Sequence, residues 1–233
     1  MKDETDKDSI IRLFHVCKRY GTRNAIVDLS LDIFRNELLF ISGPSGAGKT
    51  TLLKLMYLAE SATEGQILID GINLSRIPRN RIPYLRRKFG IVFQDYKLIR
   101  TKSVYENVAL SLEVTGSKQK HIQKKVKSVL RTVGMENRLN SFPPGLSGGE
   151  QQRVAVARAV VGEPAIIVAD EPTGNLDIEA ADIILNLLKK FHSQGATVII
   201  ATHDMELINR TGGRVIYLKD GRLVKDAHHP LME

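Results

Sequence analysis

The 233-residue sequence has a single cysteine, no tryptophan and no long apolar run. One thiol, Cys17, cannot form a disulfide within the chain, which fits a reducing compartment. Because no run approaches the roughly 20 apolar residues needed to cross a bilayer, we expect no membrane-spanning helix. The polar start, MKDETDKDSI, is followed by no apolar signal-peptide segment. These shortages favour a cytosolic protein over a secreted or membrane-embedded one.

Aromatic residues are also scarce, at 6%, although 34 basic residues outnumber 26 acidic ones and give a formal net charge of +8. The densest basic cluster runs from Arg76 to Lys88 and reads RIPRNRIPYLRRK. Nucleic-acid grooves combine cations with stacking aromatics, so we expect no nucleic-acid partner. The cluster is interpreted as a solvated face, with acidic lipid headgroups or a partner protein as alternatives.

The hydrophobic content of 42% supports one α/β domain with a small subdomain. Residues Ile10–Val16 and Ala25–Ile33 alternate in the manner of antiparallel strands, joined by a turn at Lys18–Thr22. Continuous apolar runs predict buried parallel strands at Leu38–Ile41, Phe89–Phe93, Ala165–Ala169 and Ala196–Ala201. Helical patterns cover Val104–Leu112, Lys118–Val133 and Val154–Val161.

The most informative stretch is Gly43 to Thr50, which fits the pattern G-x-x-x-x-G-K-[ST] between a strand and a helix. Glycines let the backbone curl so that successive N–H groups face an anion, and the helix N-terminus adds further donors. Lys49 can reach the β- and γ-phosphates, and the Thr50 hydroxyl can bind Mg²⁺. The structural alternative is a glycine-rich turn with a surface lysine, but the complete pattern favours nucleoside triphosphate binding.

Polar residues follow three of the predicted buried strands. Gln94 ends one of them and is well placed to face a ligand. Asp170 and Glu171 end another, where they suit an acid on the Mg²⁺ side and a general base for water. His203 follows the last strand and is interpreted as a contact to the γ-phosphate, or else as a neighbour of a helix cap.

Two further positions carry both a structural and a functional interpretation. Ser147 and Glu150 have the spacing of a capping box, and the glycines between them make a second helix N-terminus able to hold phosphate. Tyr20 is either a half-packed loop tyrosine or a platform on which a nucleotide base stacks.

The ordered set of these motifs resembles the ATP-binding-cassette (ABC) ATPases from about Ile10 to Lys225. The set comprises the loop Gly43–Thr50, Gln94, LSGGE at Leu146–Glu150, IIVADE ending at Glu171, Asn175-Leu176-Asp177 and His203. The resemblance implies a P-loop core with a mixed sheet, an N-terminal antiparallel β subdomain and an inserted α-helical subdomain at about 95–162. It places the ATPase domain at 10–227, between flexible tails at 1–9 and 228–233.

The resemblance also implies roles for individual residues. Nucleotide contacts are assigned to Tyr20, Gly43, Pro44, Ser45, Gly46, Ala47, Gly48, Lys49, Thr50 and Thr51. Mg²⁺ would be held by Thr50, Gln94 and Asp170, and catalysis assigned to Glu171, His203, Gln94 and Lys49. A second subunit would contribute Ser147, Gly148, Gly149, Glu150 and Asp177 to the same ATP, which implies a homodimer.

Other stretches are similar to the FtsE family of cell-division ABC ATPases. They are Leu85–Asp95, Ser103–Ala109, Ser141–Pro143 and Ala169–Asp177. This similarity implies an FtsX-like integral membrane partner that activates cell-wall (peptidoglycan) hydrolases, and a peripheral position on the cytoplasmic face of the bacterial plasma membrane. Gly145, where the family often has glutamine, and Ile99–Lys102 depart from the family pattern.

Three other functions are alternatives to this one. ATPases of lipoprotein release and of macrolide-type export share the ADEPTGNLD stretch. A scaffold that uses ATP only to hold a dimer together belongs to another class, and Glu171 and His203 argue against it. ABC-type heads of DNA repair carry a long coiled-coil insertion before the signature, whereas this chain has only short helices there.

Overall fold

Two sheets, flanked by helices, build the computed structural model, which describes residues 9–228. The strands are β1 Ser9–Tyr20, β2 Arg23–Phe34, β3 Leu38–Ser42, β4 Glu64–Ile69, β5 Ile72–Asn73, β6 Phe89–Val92, β7 Ile166–Asp170, β8 Thr197–Ala201, β9 Arg214–Lys219 and β10 Arg222–His228. The helices are α1 Lys49–Met56, α2 Ile82–Arg86, α3 Val104–Glu113, α4 Gln119–Thr132, α5 Gly148–Val160, α6 Ile178–Ser193 and α7 Met205–Thr211. Of the flexible tails predicted at 1–9 and 228–233, Ser9 and His228 belong instead to β1 and β10. The other tail residues lie outside the described part of the chain.

The N-terminal sheet has the strand order β2-β1-β4-β5 and is antiparallel throughout, as predicted. Its apolar side chains, such as Ile11 and Leu13, are buried against α1 and the second sheet. The predicted turn at Lys18–Thr22 was wrong for its first three residues, because β1 continues to Tyr20. Gly21, with φ of 57°, allows the chain to reverse within two residues.

The second sheet has the order β10-β9-β3-β8-β7-β6 and is mixed, because β10 runs antiparallel to β9 while the other neighbours are parallel. Strands β3, β7 and β8 lie at its centre and are almost wholly buried. Parallel strands end at one edge of a sheet, so the loops after β3, β6, β7 and β8 meet there. This topology brings together the loop 43–50, Gln94, Glu171 and His203.

Helices α3, α4 and α5 pack on one another within the region predicted as a helical subdomain. Helix α5 begins six residues before the predicted Val154, because Ser147 is its N-cap and the capping box with Glu150 is formed. Helices α6 and α7 and strands β9 and β10 were not predicted from the sequence. Between Ser9 and His228, the structure contains no helix that is both long and apolar enough to cross a membrane.

Candidate nucleotide-binding site

The loop between β3 and α1 is a tight backbone turn that only glycine can make. Gly43, Gly46 and Gly48 have φ of 142°, 80° and 104°. A Cβ on Gly43 would lie 2.1 Å from the Leu218 carbonyl oxygen, and one on Gly48 would lie 2.5 Å from that of Ala25. Gly48 is the N-cap of α1 and makes no side-chain cap. The first N–H groups of α1 are therefore available to an anion.

Lys49 lies under this loop and is 8% exposed. Its Nζ donates hydrogen bonds to the carbonyl oxygens of Gly43 at 2.7 Å and Pro44 at 3.2 Å. It also lies 3.6 Å from Oε1 of Glu171. A buried ammonium held by exchangeable carbonyl contacts and one carboxylate can transfer those contacts to phosphate oxygens.

Glu171 and His203 follow β7 and β8 and face each other across the edge of the sheet. Nδ1 of His203 lies 2.9 Å from Oε1 of Glu171. Glu171 has φ of 44°, a left-handed conformation that is costly for a glutamate, and its N–H donates to the Ala201 carbonyl at 2.8 Å. The backbone thus fixes the direction in which this carboxylate points.

Thr50 and Asp170 form a pair of oxygen donors beside the loop, with the Thr50 hydroxyl donating to Oδ1 of Asp170 at 3.0 Å. Hydroxyl and carboxylate oxygens suit Mg²⁺, which typically binds one or two protein oxygens together with substrate phosphates. In the part of the chain described, no cluster of three or more His, Cys, Asp or Glu side chains could hold a metal by itself. The donors present therefore fit Mg²⁺ that arrives with a nucleotide.

Burial raises the pKa of Asp170 above its ordinary value of 3.8, and the adjacent Glu171 adds to this, whereas the Thr50 hydroxyl and Lys49 lower it. Because the folded pKa is raised, the ionised carboxylate costs stability. That cost is present at neutral pH and disappears as the pH falls below the ordinary pKa.

We therefore expect Asp170→Asn to raise the melting temperature of the nucleotide-free chain at pH 7. The gain should shrink toward pH 4, and differential scanning calorimetry at both values measures it. Glu136→Gln, on an exposed residue, is the control and should change little at either pH. A variant Asp170→Asn that is less stable than wild type at pH 7 would contradict the burial argument.

The loop between β3 and α1, Glu171 and His203 surround one cavity of about 510 Å³. Its lining includes Tyr20, residues 44–51, Gln94, Glu171 and His203. The Tyr20 ring is 42% exposed, its hydroxyl bonds Glu60, and Nζ of Lys18 lies 4.8 Å from its centroid. Lys18 thus lies over one face of the Tyr20 ring, and the ring lines the same cavity as the anion-binding loop.

The remaining predicted residues line a second, smaller cavity of about 260 Å³. This cavity is lined by Ser147, Gly148, Gly149, Glu150 and Asp177, among others. Ser147 accepts a hydrogen bond from the Glu150 N–H at 3.2 Å, and Asp177 caps α6 by accepting from the Ala180 N–H at 2.8 Å. Over residues 9–228, the two cavities have no lining residue in common. The predicted site is therefore divided into two halves within one chain.

Two residues near these cavities escaped the sequence analysis, and a third, Asn175, was predicted only as part of the Asn175–Asp177 motif. Arg23 lines the larger cavity, and Nδ2 of Asn175 donates to the Gln94 carbonyl at 3.3 Å and so links the two halves. Gln152 is fully buried in α5, where its Nε2 bonds the carbonyls of Pro172 at 2.7 Å and Phe93 at 3.4 Å. Only Gln152 left a signal, a polar residue on an otherwise apolar helix stripe.

Comparison with known proteins agrees with this geometry. The family model described as ABC transporter matches residues 26–174. The cell-division ATP-binding protein FtsE of Streptococcus pneumoniae serotype 2 is 44% identical over 220 residues, covering 94% of this chain and 95% of the relative. FtsE of Escherichia coli K12 is 44% identical over 215 residues, covering 92% and 97%.

Among solved structures, the ATP-binding cassette MJ0796 resembles the chain. A dimeric, post-hydrolysis state of that cassette, bound to ADP and Pi, aligns with a TM-score of 0.86 and 36% identity. The alignment covers 94% of this chain and 98% of that one.

Proposed function

Because the chain belongs to the ABC transporter family and is an ATPase similar to the FtsE proteins, we propose that it powers a cell-division complex in which two copies close on ATP and signal through an FtsX-like membrane protein. The observation that carries the dimeric part is the division of the site into two cavities on one chain. A homodimer related by a two-fold axis would place the loop of one subunit opposite the Ser147–Glu150 segment of the other.

Within each composite site, the residues on the loop side have separate tasks. The N–H groups of residues 45–51 and the Lys49 ammonium would hold the phosphates, while Tyr20 would stack on adenine. Mg²⁺ would be held by Thr50 and Asp170, with Gln94 beside them, and would neutralise phosphate charge.

Glu171 would accept the proton of the attacking water, since its carboxylate is held by the backbone at the strand end. His203, bonded to that carboxylate, would orient it and reach the γ-phosphate. The partner's half would be supplied by Ser147–Glu150 and by the loop that contains Asp177.

The surface proposed for the membrane partner is a groove of about 820 Å³ beside the nucleotide cavity. It is lined by Arg86, Arg87, Phe93, Lys97, Leu110 and Val114, among others. Gln94 lines the nucleotide cavity and Lys97 lines the groove, so the segment between them connects the two surfaces. ATP can drive the partner through this segment only if it binds the closed dimer more tightly than the open one.

Three apolar residues of this segment, Tyr96, Leu98 and Ile99, are candidates for partner contacts or for core packing. Leu98 packs against the helical core, and Tyr96 is half-buried near Gly148. Ile99 is 36% exposed. The structure therefore favours core packing for Leu98 and leaves Ile99 free to contact a partner.

The partner is tested by co-purification of the tagged chain with candidate membrane proteins from its source cells. Capture of a four-span FtsX-like protein, with cell-wall hydrolase activity that depends on ATP turnover, is the expected result. Capture of a lipoprotein-release or macrolide-exporter permease would overturn the cell-division proposal and leave the ATPase chemistry intact.

The groove is tested by the double reversal Arg87→Glu and Lys97→Glu, which should abolish capture. Arg86 is kept, because its guanidinium bonds the Leu58 carbonyl at 2.7 Å and its loss would disturb the fold. Arg79→Glu with Lys120→Glu, on exposed residues outside the groove, is the matched control. Equal capture by both double variants would remove the basic groove from the proposal.

A further inference from the structure

The two-residue hairpin between β1 and β2 places Arg23 next to the nucleotide cavity. Tyr20 and Arg23 are direct partners in the register of the two strands. Paired residues on antiparallel strands present their side chains to the same face of the sheet. Both side chains accordingly line the cavity that contains the loop 44–51.

The guanidinium of Arg23 is close to the anion-binding loop. A Cβ built on Gly46 would lie 3.6 Å from Nη2 of Arg23, and outside residues 45–47 no other described heavy atom would lie within 4 Å of it. Gly46 is in the middle of the loop, between the strand and the start of α1. Arg23 therefore faces the loop from the hairpin side, whereas Lys49 lies on its buried side.

Arg23 also differs from Lys49 in having no partner among the residues that the structure describes. Lys49 is engaged with two carbonyls and with Glu171. Arg23 is exposed, and within residues 9–228 its guanidinium makes no hydrogen bond, ion pair or ring contact. By contrast, Arg19, on the other strand of the same hairpin, forms an ion pair with Glu64. An unpaired cation beside a phosphate-binding loop is a ready anion contact.

We propose that Arg23 binds the phosphate chain of the nucleotide from the hairpin side, opposite Lys49. Its planar fork can bond two phosphate oxygens at once, and it would hold the nucleotide between the aromatic wall at Tyr20 and the loop. The contact is made in binding and needs no change during hydrolysis, so Arg23 sets affinity rather than turnover.

The test compares Arg23→Gln and Arg23→Lys with wild type, by isothermal titration calorimetry with ADP and with the non-hydrolysable analogue AMPPNP. We expect Arg23→Gln to weaken both ligands about tenfold, the lower end of what a hydrogen bond to a charged group contributes. Arg23→Lys should recover part of the loss. The difference should shrink in 0.5 M salt, because the contact is exposed to solvent. In steady-state hydrolysis, KM for ATP should rise about tenfold while kcat stays near that of wild type.

Arg79→Gln is the matched control, an exposed arginine outside the cavity that should bind both ligands as wild type does. Unchanged affinities in Arg23→Gln overturn the proposal. The proposal is also overturned if both Arg23→Lys and Arg23→Gln lower the melting temperature of the nucleotide-free protein and lose equal affinity. Such a result would mean that Arg23 stabilises the fold and does not bind phosphate. A third overturning result is unchanged ADP affinity with loss of ATP-driven dimerisation, which would assign Arg23 to the partner subunit.

Discussion

Replacing Glu171 with glutamine is expected to reduce ATP hydrolysis by about 10²- to 10⁴-fold, the usual contribution of a positioned general base. ATP should still bind, because Lys49 and the N–H groups of the loop are untouched. The variant should therefore accumulate as an ATP-bound dimer. Phosphate release measures the first effect, and size-exclusion chromatography with ATP measures the second.

Two observations explain why the dimer should persist. Oε1 of Glu171 lies 3.6 Å from Nζ of Lys49 and 2.9 Å from Nδ1 of His203, in the cavity that receives a triphosphate. A carboxylate at this position opposes the negative charge of the γ-phosphate, whereas an amide of the same size does not. Glutamine therefore removes the base and a repulsion together.

Glu136→Gln is the control for this experiment, because Glu136 is exposed and lies outside both cavities. It should hydrolyse ATP and return to monomers as wild type does. If Glu171→Gln retained more than a tenth of the wild-type rate, another residue would have to serve as the base. If its dimer failed to form, ATP would be held by one chain without help from a second.

The sequence predicts the centre of this fold better than its borders. Buried strands such as β7 and β8 are continuous apolar runs, and their ends carry the motif residues in the expected order. Strand β9 begins with the buried charge of Arg214, which bonds Asp226 and Glu37 and hides the pattern of an apolar strand. Helix α6 follows directly on the Asn175–Asp177 motif, and its amphipathic pattern of buried leucines and isoleucines was available in the sequence.

The site shows the same division between local and tertiary information. The spacing of Gly43–Thr50 encodes its own backbone turn, so the loop could be recognised from sequence alone. The contact between Thr50 and Asp170 joins residues 120 positions apart, and only the motif order indicated it. Arg23 could not be found in this way, because its position depends on a register between two strands that sequence alternation leaves open by one residue.

The last expected result concerns the two half-sites, tested by mixing two inactive variants. Lys49→Ala removes the ammonium of the loop, and Gly148→Asp adds a carboxylate to the second cavity. The charge of aspartate suits the start of α5, since Gly148 is the first residue after the N-cap and acidic groups are favoured there. A Cβ at this position would lie 2.9 Å from the hydroxyl oxygen of Tyr96, so the end of that side chain must move aside, and thermal melting of the variant checks that the fold is kept. Each variant alone should hydrolyse ATP at less than about a hundredth of the wild-type rate, because each homodimer has a defect in both composite sites.

Heterodimers of the two variants, isolated through two different affinity tags, should regain activity. In a two-fold arrangement, the intact loop of the Gly148→Asp chain faces the intact Ser147–Glu150 segment of the Lys49→Ala chain, so one site is restored and the other carries both defects. Turnover should reach up to about half that of wild type, and less if the two sites must act together.

A heterodimer in which one chain carries both substitutions and the other carries Lys49→Ala has no intact loop, and it should stay inactive. If neither heterodimer regains activity, two explanations remain. Either both cavities of one chain act on the same ATP, or the two composite sites of a dimer hydrolyse ATP only when both are intact. Dimer formation by Glu171→Gln that depends on ATP distinguishes these, since only a composite site needs a second subunit to complete the binding of each ATP.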